Sequence, residues 1–282
     1  MTAFIKNALG LNLLSSSHDE ELQKQLIHVL TLTAALCFIG HGAWGIITKS
    51  AWVPFFTSMG ISETWAYRLM PLVGTMDIGL GLLLILRPMR IVIIWMMLWG
   101  LWTALLRPIA GQSMWEFWER GGNYGAPIAL LLCYGAFVMS WKDLFSKLEP
   151  STLSQQQVMN MEVFMRIFLA CLLIGHGALA AFVQKDQFLT HFASIGINLD
   201  KGQLVYVGMF EITLGFLLGF KTRFWRHFLI LILTWKLATE FLHVTSGPMA
   251  NIFEWIERWG DYGIPIALLY IDHFRASQIR NF

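Results

Sequence analysis

Long apolar stretches separated by short polar or Gly/Pro-containing breaks dominate the chain. A helix crossing a bilayer needs roughly 20 mostly apolar residues. That length predicts spans at Leu26–Thr48, Leu69–Leu86, Met89–Leu106, Tyr124–Trp141, Val163–Val183, Leu204–Phe220 and Phe224–Val244, with a shorter eighth at Tyr262–Phe274. The polar segment between Lys142 and Met161, which contains Pro150, is the one clear linker.

An internal repeat supports the eighth span. Ile39–Ala43 and Ile174–Ala178 both read IGHGA. Glu116–Leu131 (EFWERGGNYGAPIALL) and Glu254–Leu269 (EWIERWGDYGIPIALL) share eleven of sixteen positions. Between these blocks Ser58, Gly60 and Ile61 match Ser194, Gly196 and Ile197, and Asp77 matches Glu211. Ordered matches at offsets of 134 to 138 residues point to a tandem duplication. The expected fold is an all-α integral membrane protein, with eight transmembrane helices arranged as two four-helix units. Its expected divisions are an N-terminal interfacial segment (1–25), repeat one (26–141), a cytoplasmic linker (142–162) and repeat two (163–275). An even helix number makes the repeats parallel, which weighs against an inverted-repeat, alternating-access design.

Composition narrows the class. Of 282 residues, 56% are apolar and 13% charged, the latter about half the ~25% of soluble proteins. The mean hydropathy is +0.57. A soluble enzyme, a disordered chain and a disulfide scaffold are excluded. The net charge of +2 gives no electrostatic reason to expect a nucleic-acid partner. Cys37, Cys133 and Cys171 lie in apolar runs without a Cys-x-x-Cys pair, so packing is their expected role. Eleven Lys and Arg flank the side holding both termini and six flank the other. The expectation is a cytoplasmic (inner) membrane location with both termini inside.

The first residues lack a signal-peptide core. Phe4, Ile5, Leu9, Leu13 and Leu14 suit a short interfacial helix, and Ser17-x-x-Glu20 resembles a capping box opening the first span. Two outer loops carry WEFWERGG and FEWIERWG, whose aromatic spacing suits helices lying among outer headgroups.

Ionisable residues inside hydrocarbon are costly and mark candidate sites. At 1.5 Å per residue, His41 and Asp77 lie about 10 and 12 Å below the outer ends of their helices. They are therefore expected to pair, as are His176 and Glu211. Such pairs serve either as struts between glycine-lined helices or as sites for a ligand or proton. Further polar residues reach the same level: Arg107, Glu119 and Tyr124 in copy one, and Glu240, His243, Glu257 and Tyr262 in copy two. Glu119–Arg120 and Glu257–Arg258 are adjacent and suit local ion pairs, while Tyr124 and Tyr262 precede prolines at helix starts. Glu240-x-x-His243 has the spacing used in di-iron bundles but lacks a second such element, leaving it a weak metal candidate. Lys236 sits one turn from Glu240, its expected partner. A haem between His41 and His176 is a further, weak possibility.

The four-helix unit has a polar residue in its first helix, the run Asp77-Ile78-Gly79-Leu80-Gly81 in its second and a proline-led fourth. It resembles the DoxX-like membrane proteins, here with the unit twice. That family includes a membrane subunit associated with thiosulfate:quinone oxidoreduction and members linked to redox defence. The resemblance implies a quinone-side redox role beside a partner subunit. The alternative is a non-enzymatic transporter or a membrane scaffold for a partner protein.

Overall fold

The computed structural model describes residues 11–135, 140–149 and 153–280. Among them the chain is helical, with one isolated antiparallel bridge, Met89–Lys147. Five helices are long and apolar enough to cross a membrane: Glu21–Ile47, Glu63–Leu86, Arg90–Ile109, Gln155–Val183 and Trp225–Thr245. Side chains such as Leu72, Leu86, Phe216 and Ile230 are left exposed on helix faces, as lipid contact requires.

The first half comprises α1 (Leu11–Ile47), α2 (Val53–Thr57), α3 (Glu63–Leu86), α4 (Arg90–Ile109), α5 (Trp115–Glu119) and α6 (Gly121–Cys133). A short helix, α7 (Trp141–Phe145), lies between the halves. The second half comprises α8 (Gln155–Ala178, extended by a π-turn at Leu179–Val183), α9 (Asp186–Ala193), α10 (Lys201–Leu217), α11 (Trp225–Thr245), α12 (Ile252–Glu257) and α13 (Trp259–Arg280).

Three boundaries differ from expectation. No Gly or Pro interrupts residues 11–38, so α1 continues through Ser17 instead of starting there. The residues expected to begin an interfacial helix, 4–10, lie outside the described residues. Helix α6 ends at Cys133, before Gly135 at φ +71, well short of Trp141. Conversely, α13 runs 22 residues, longer than hydropathy indicated.

Glycines set the helix spacing. A Cβ on Gly42 would lie 2.6 Å from the Gly74 carbonyl, and one on Gly177 would lie 2.5 Å from that of Gly208. The first helix of each half thus meets the second backbone to backbone. The halves also interlock. A Cβ on Gly40 would come within 2.8 Å of the Glu257 Cα, and one on Gly175 within 2.8 Å of the Glu119 Cα. The short helices α5 and α12 therefore each seat on the first long helix of the opposite half. Gly122 and Gly260 meet each other; a Cβ on Gly122 would lie 2.8 Å from the Gly260 Cα. In the Trp-rich segments Glu116, Glu119, Glu254 and Glu257 are buried at this inter-half contact.

Candidate functional site

Both histidine–carboxylate pairs form. His41 Nδ1 is 2.8 Å from Asp77 Oδ2, and His176 Nδ1 is 2.5 Å from Glu211 Oε2. An aromatic ring covers each imidazole: Trp52 stacks on His41 at 4.4 Å, and Phe188 meets His176 edge-on at 4.9 Å.

Beyond the pairs, the halves diverge. In the second half Glu211 Oε1 also accepts a hydrogen bond from Trp235 Nε1 at 2.7 Å. In the first half the equivalent atoms, Asp77 Oδ1 and Trp99 Nε1, are buried without a hydrogen-bond partner in the protein. Aspartate is one methylene shorter than glutamate. Asp77 and Trp99 instead line a cavity of about 20 Å³ with His41, Gly100, Thr103 and Asn123. His41, Trp99 and Thr103 also face an apolar pocket of about 170 Å³, walled by Trp52, Phe55, Phe56, Trp102, Leu106 and Arg107. The cavity beside His176 measures only about 10 Å³.

Substitutions between the repeats account for this difference. Where the first half has Gly100, Ala104 and Asn123, the second has Lys236, Glu240 and Asp261. Lys236 pairs with Glu240 and lies 3.0 Å from Asp261, all three fully or almost fully buried. Glu240 also faces Arg258 at 2.9 Å, His243 at 3.4 Å and His176 Nε2 at 3.5 Å. Charged side chains thus fill the space that glycine and alanine leave open. His176 has acids at both ring nitrogens, whereas no protein group among the described residues hydrogen-bonds His41 Nε2. Glu240 is committed to cations, which corrects its reading with His243 as a metal element. Among the described residues, no group of three or more His, Cys, Asp or Glu is arranged to hold a metal.

A second cavity, of about 220 Å³, lies between the halves. Five basic side chains (Lys49, Arg107, Arg120, Lys185 and Arg258) and four acids (Glu116, Glu119, Glu254 and Glu257) line it, with His191 and His243. Its ion pairs cross between the halves: Lys49 with Glu254, Lys185 with Glu116, and Arg258 with Glu119 at 2.7 Å. Thr48 and Gln184, at φ +59 and +53, make the left-handed turns that precede the two lysines. Arg120 also pairs with Glu119, at 2.7 Å.

With both arginines drawn to Glu119, its repeat-equivalent Glu257 has no ion pair or hydrogen bond among the described residues. Burial raises the Glu119 carboxyl, but Arg258 and Arg120 more than offset this and hold it well below the usual range. Burial likewise opposes ionisation of Glu254, yet Lys49 brings it down to about 2. Glu257 moves the other way: burial raises it, and neighbouring Glu254 adds to the rise. Burial, then His243 and Arg258, depress His191 to about 3.

Of the candidate residues, His41 and Arg107 line the open pocket and His41 and Asp77 the small cavity beside it, whereas Glu119, Glu257, His243 and Arg107 meet at the chamber between halves. His176, Glu211 and Glu240 form the buried network. Tyr124 and Tyr262 stand apart from both larger cavities. Their hydroxyls donate to the Phe117 and Trp255 carbonyls at 3.3 Å, bracing α5 and α12. Sequence reasoning missed Trp52, Phe55, Trp99, Lys49 and Lys185 as site residues. For the lysines and Trp99 a signal was present, since Lys49/Lys185 and Trp99/Trp235 recur at the 136-residue offset; Trp52 and Phe55 align with Phe188 and His191. Cys37 and Cys133 are buried free thiols and Cys171 is half-buried; the Gly260 N–H donates to Cys37 Sγ at 3.1 Å.

Compared with protein-family models, with curated proteins and with solved structures, the chain matches none of them. The helices and the two cavities therefore carry the functional reading.

Proposed function

We propose that this chain is a redox-associated membrane subunit of DoxX-like type that binds a quinone-like ring in the outer half of its first repeat. In this reading, eight spans form two parallel four-helix repeats related by an axis along the membrane normal near Gly122 and Gly260. Both termini face the cytoplasm. The five apolar helices, the repeated sequence blocks and the reciprocal seating of α5 and α12 support it. The spans lie in the cytoplasmic membrane.

One observation carries the ligand reading: among the described residues, the first half places unsatisfied buried polar atoms, Asp77 Oδ1 and Trp99 Nε1, beside an open aromatic pocket, whereas the cavity beside His176 measures only about 10 Å³. A flat apolar ring of about ten heavy atoms suits the ~170 Å³ pocket walled by Trp52, Phe55 and Trp99. In the small cavity adjoining it, His41, Trp99 Nε1 and Asp77 Oδ1 offer the donors and acceptor that a ring oxygen needs. Reducing a quinone to a quinol takes up two electrons and two protons. The His41–Asp77 pair is suited to proton exchange at a ring oxygen, and a partner redox subunit supplies the electrons. The second repeat, its pocket filled by Lys236 and Glu240, serves as a rigid counterpart.

Gentle solubilisation, organic extraction and mass spectrometry test this reading. A quinone recovered in near-stoichiometric amount from wild type, but not from His41→Ala, is the expected result. Equal recovery from both, or recovery from neither, refutes it.

A further inference from the structure

The chamber between the halves adjoins the ring pocket, sharing Trp52, Phe55 and Arg107 with it, but His41 does not line the chamber and its other walls come from both repeats. Its ~220 Å³ is far more than the ~10–15 Å³ that one water needs. Ion pairing inside it is incomplete. Lys49, Lys185, Arg120 and Arg258 each have a carboxylate. That leaves two groups facing the chamber without a charged partner among the described residues.

The first is Arg107, in the last turn of α4. Its Nε is buried and has no hydrogen-bond acceptor, and its guanidinium lies 5.1 Å from the Phe55 ring. The end of a helix favours a cation there, but supplies Nε with no acceptor. The second is Glu257, only 6% exposed. A guanidinium keeps its charge in proteins and offers a planar fork of donors that fits two oxygens at once. An unpaired buried cation is costly and calls for an anion. Five bases against four acids leave the lining with an excess positive charge even when Glu257 is ionised.

We infer that the chamber is a binding site for a small oxyanion, a carboxylate or phosphate group, gripped by the Arg107 guanidinium with the Glu257 carboxylic acid donating to a second oxygen. Burial, with Glu254 alongside, shifts Glu257 towards its neutral, donating form, and the partly exposed Lys49 and Lys185 attract anions. The oxyanion comes either from a free solute or from a lipid headgroup reaching in at the outer surface. A zwitterion is disfavoured, because Glu257 in its neutral form attracts no ammonium group.

The test titrates sodium phosphate and, separately, sodium acetate into purified full-length protein in maltoside detergent at fixed ionic strength. The readouts are tryptophan fluorescence, to which Trp52 on the chamber wall contributes, and the thermal midpoint. Saturable binding to wild type is expected. Arg107→Gln should bind at least about tenfold more weakly, the loss of one charge-assisted contact. Arg107→Lys, which keeps the charge but not the fork, should also bind more weakly than wild type, and stands in if the glutamine variant fails to fold. Glu257→Gln, still a donor, should bind better than Glu257→Ala. Native mass spectrometry separates the sources: a phospholipid retained by wild type and lost from Arg107→Gln identifies a headgroup, and phosphate binding without retained lipid identifies a solute. Equal binding by wild type and both Arg107 variants, no saturation with either anion and no lipid difference, or glycine binding more tightly than acetate, each overturns the proposal.

Discussion

Gly40 of the first repeat packs against the backbone of Glu257 from the second, where a Cβ would approach the Glu257 Cα to 2.8 Å. Gly175 and Glu119 repeat this contact at the same distance. Each IGHGA segment therefore does two jobs. Its first glycine seats the acidic short helix of the opposite half, and its second seats the neighbouring helix of its own half. The histidine between them is held in place from both sides.

Because the obstacle at Gly40 and Gly175 is backbone, an added methyl cannot be relieved by a rotamer change. Gly40→Ala and Gly175→Ala should each destabilise by about 2–3 kcal/mol, the upper part of the overpacking range. Gly79→Ala, where a Cβ meets nothing within 4 Å, should be neutral or slightly stabilising. Thermal midpoints in detergent check all three.

The crossing ion pairs should make stability depend on pH through two opposed groups. Glu254 is depressed to about 2 in the folded protein, against roughly 4.3 when unfolded. Its contribution is present above the unfolded value and is lost as pH falls through the folded one. Glu257 is raised, so its contribution is present below the unfolded value and is lost as pH rises through the folded one. Glu254→Gln should therefore lower the thermal midpoint at about pH 7 and matter less towards pH 2. Glu257→Gln should raise the midpoint at about pH 7 and change little in acid. A midpoint-against-pH series on the two variants reads both signs.

The two histidine pairs should respond differently to truncation. His176→Ala leaves Glu211 and Glu240 buried with one partner fewer, and should cost about 3 kcal/mol or more, as when one partner of a buried pair is removed. His41→Ala opens onto an existing cavity and should cost less while abolishing ring binding. Cys133→Ala, at a position that lines neither cavity, should leave binding unchanged. Thermal midpoints and ligand titrations on the three variants separate these outcomes.

Much of this arrangement was legible in the sequence. The duplicated IGHGA block and the acid 35–36 residues after each histidine located both pairs, because depth along a helix follows from residue count alone. The reciprocal contacts were not legible. Repeat alignment matches Lys49 to Lys185 and Glu116 to Glu254, but the contacts join members of different pairs, Lys49 with Glu254 and Lys185 with Glu116. The Trp-rich segments read as interfacial because their aromatic spacing is amphipathic; their glutamates are buried only because glycines in the opposite half admit them. The pocket itself depended on what is small in repeat one, Gly100 and Ala104, rather than on any residue that announces chemistry.

Topology is open to a direct check. In a cysteine-free background, cysteines at the exposed positions Ser146 and Asn198 should react with an impermeant maleimide from opposite sides, Ser146 from the cytoplasm. Labelling from one side only would contradict four spans per repeat.

The difference between Asp77 and Glu211 bears most directly on the ring site. Asp77→Glu should let the longer carboxylate reach Trp99, as Glu211 reaches Trp235 at 2.7 Å, closing the polar end of the pocket. The decisive measurement is a titration of wild type, Asp77→Glu, His41→Ala and Glu211→Asp with a short-chain benzoquinone, followed by tryptophan quenching. Saturable quenching in wild type and Glu211→Asp, weakened at least about tenfold in Asp77→Glu and His41→Ala, is the expected result. Equal quenching in all four proteins would contradict a ring site in the first repeat.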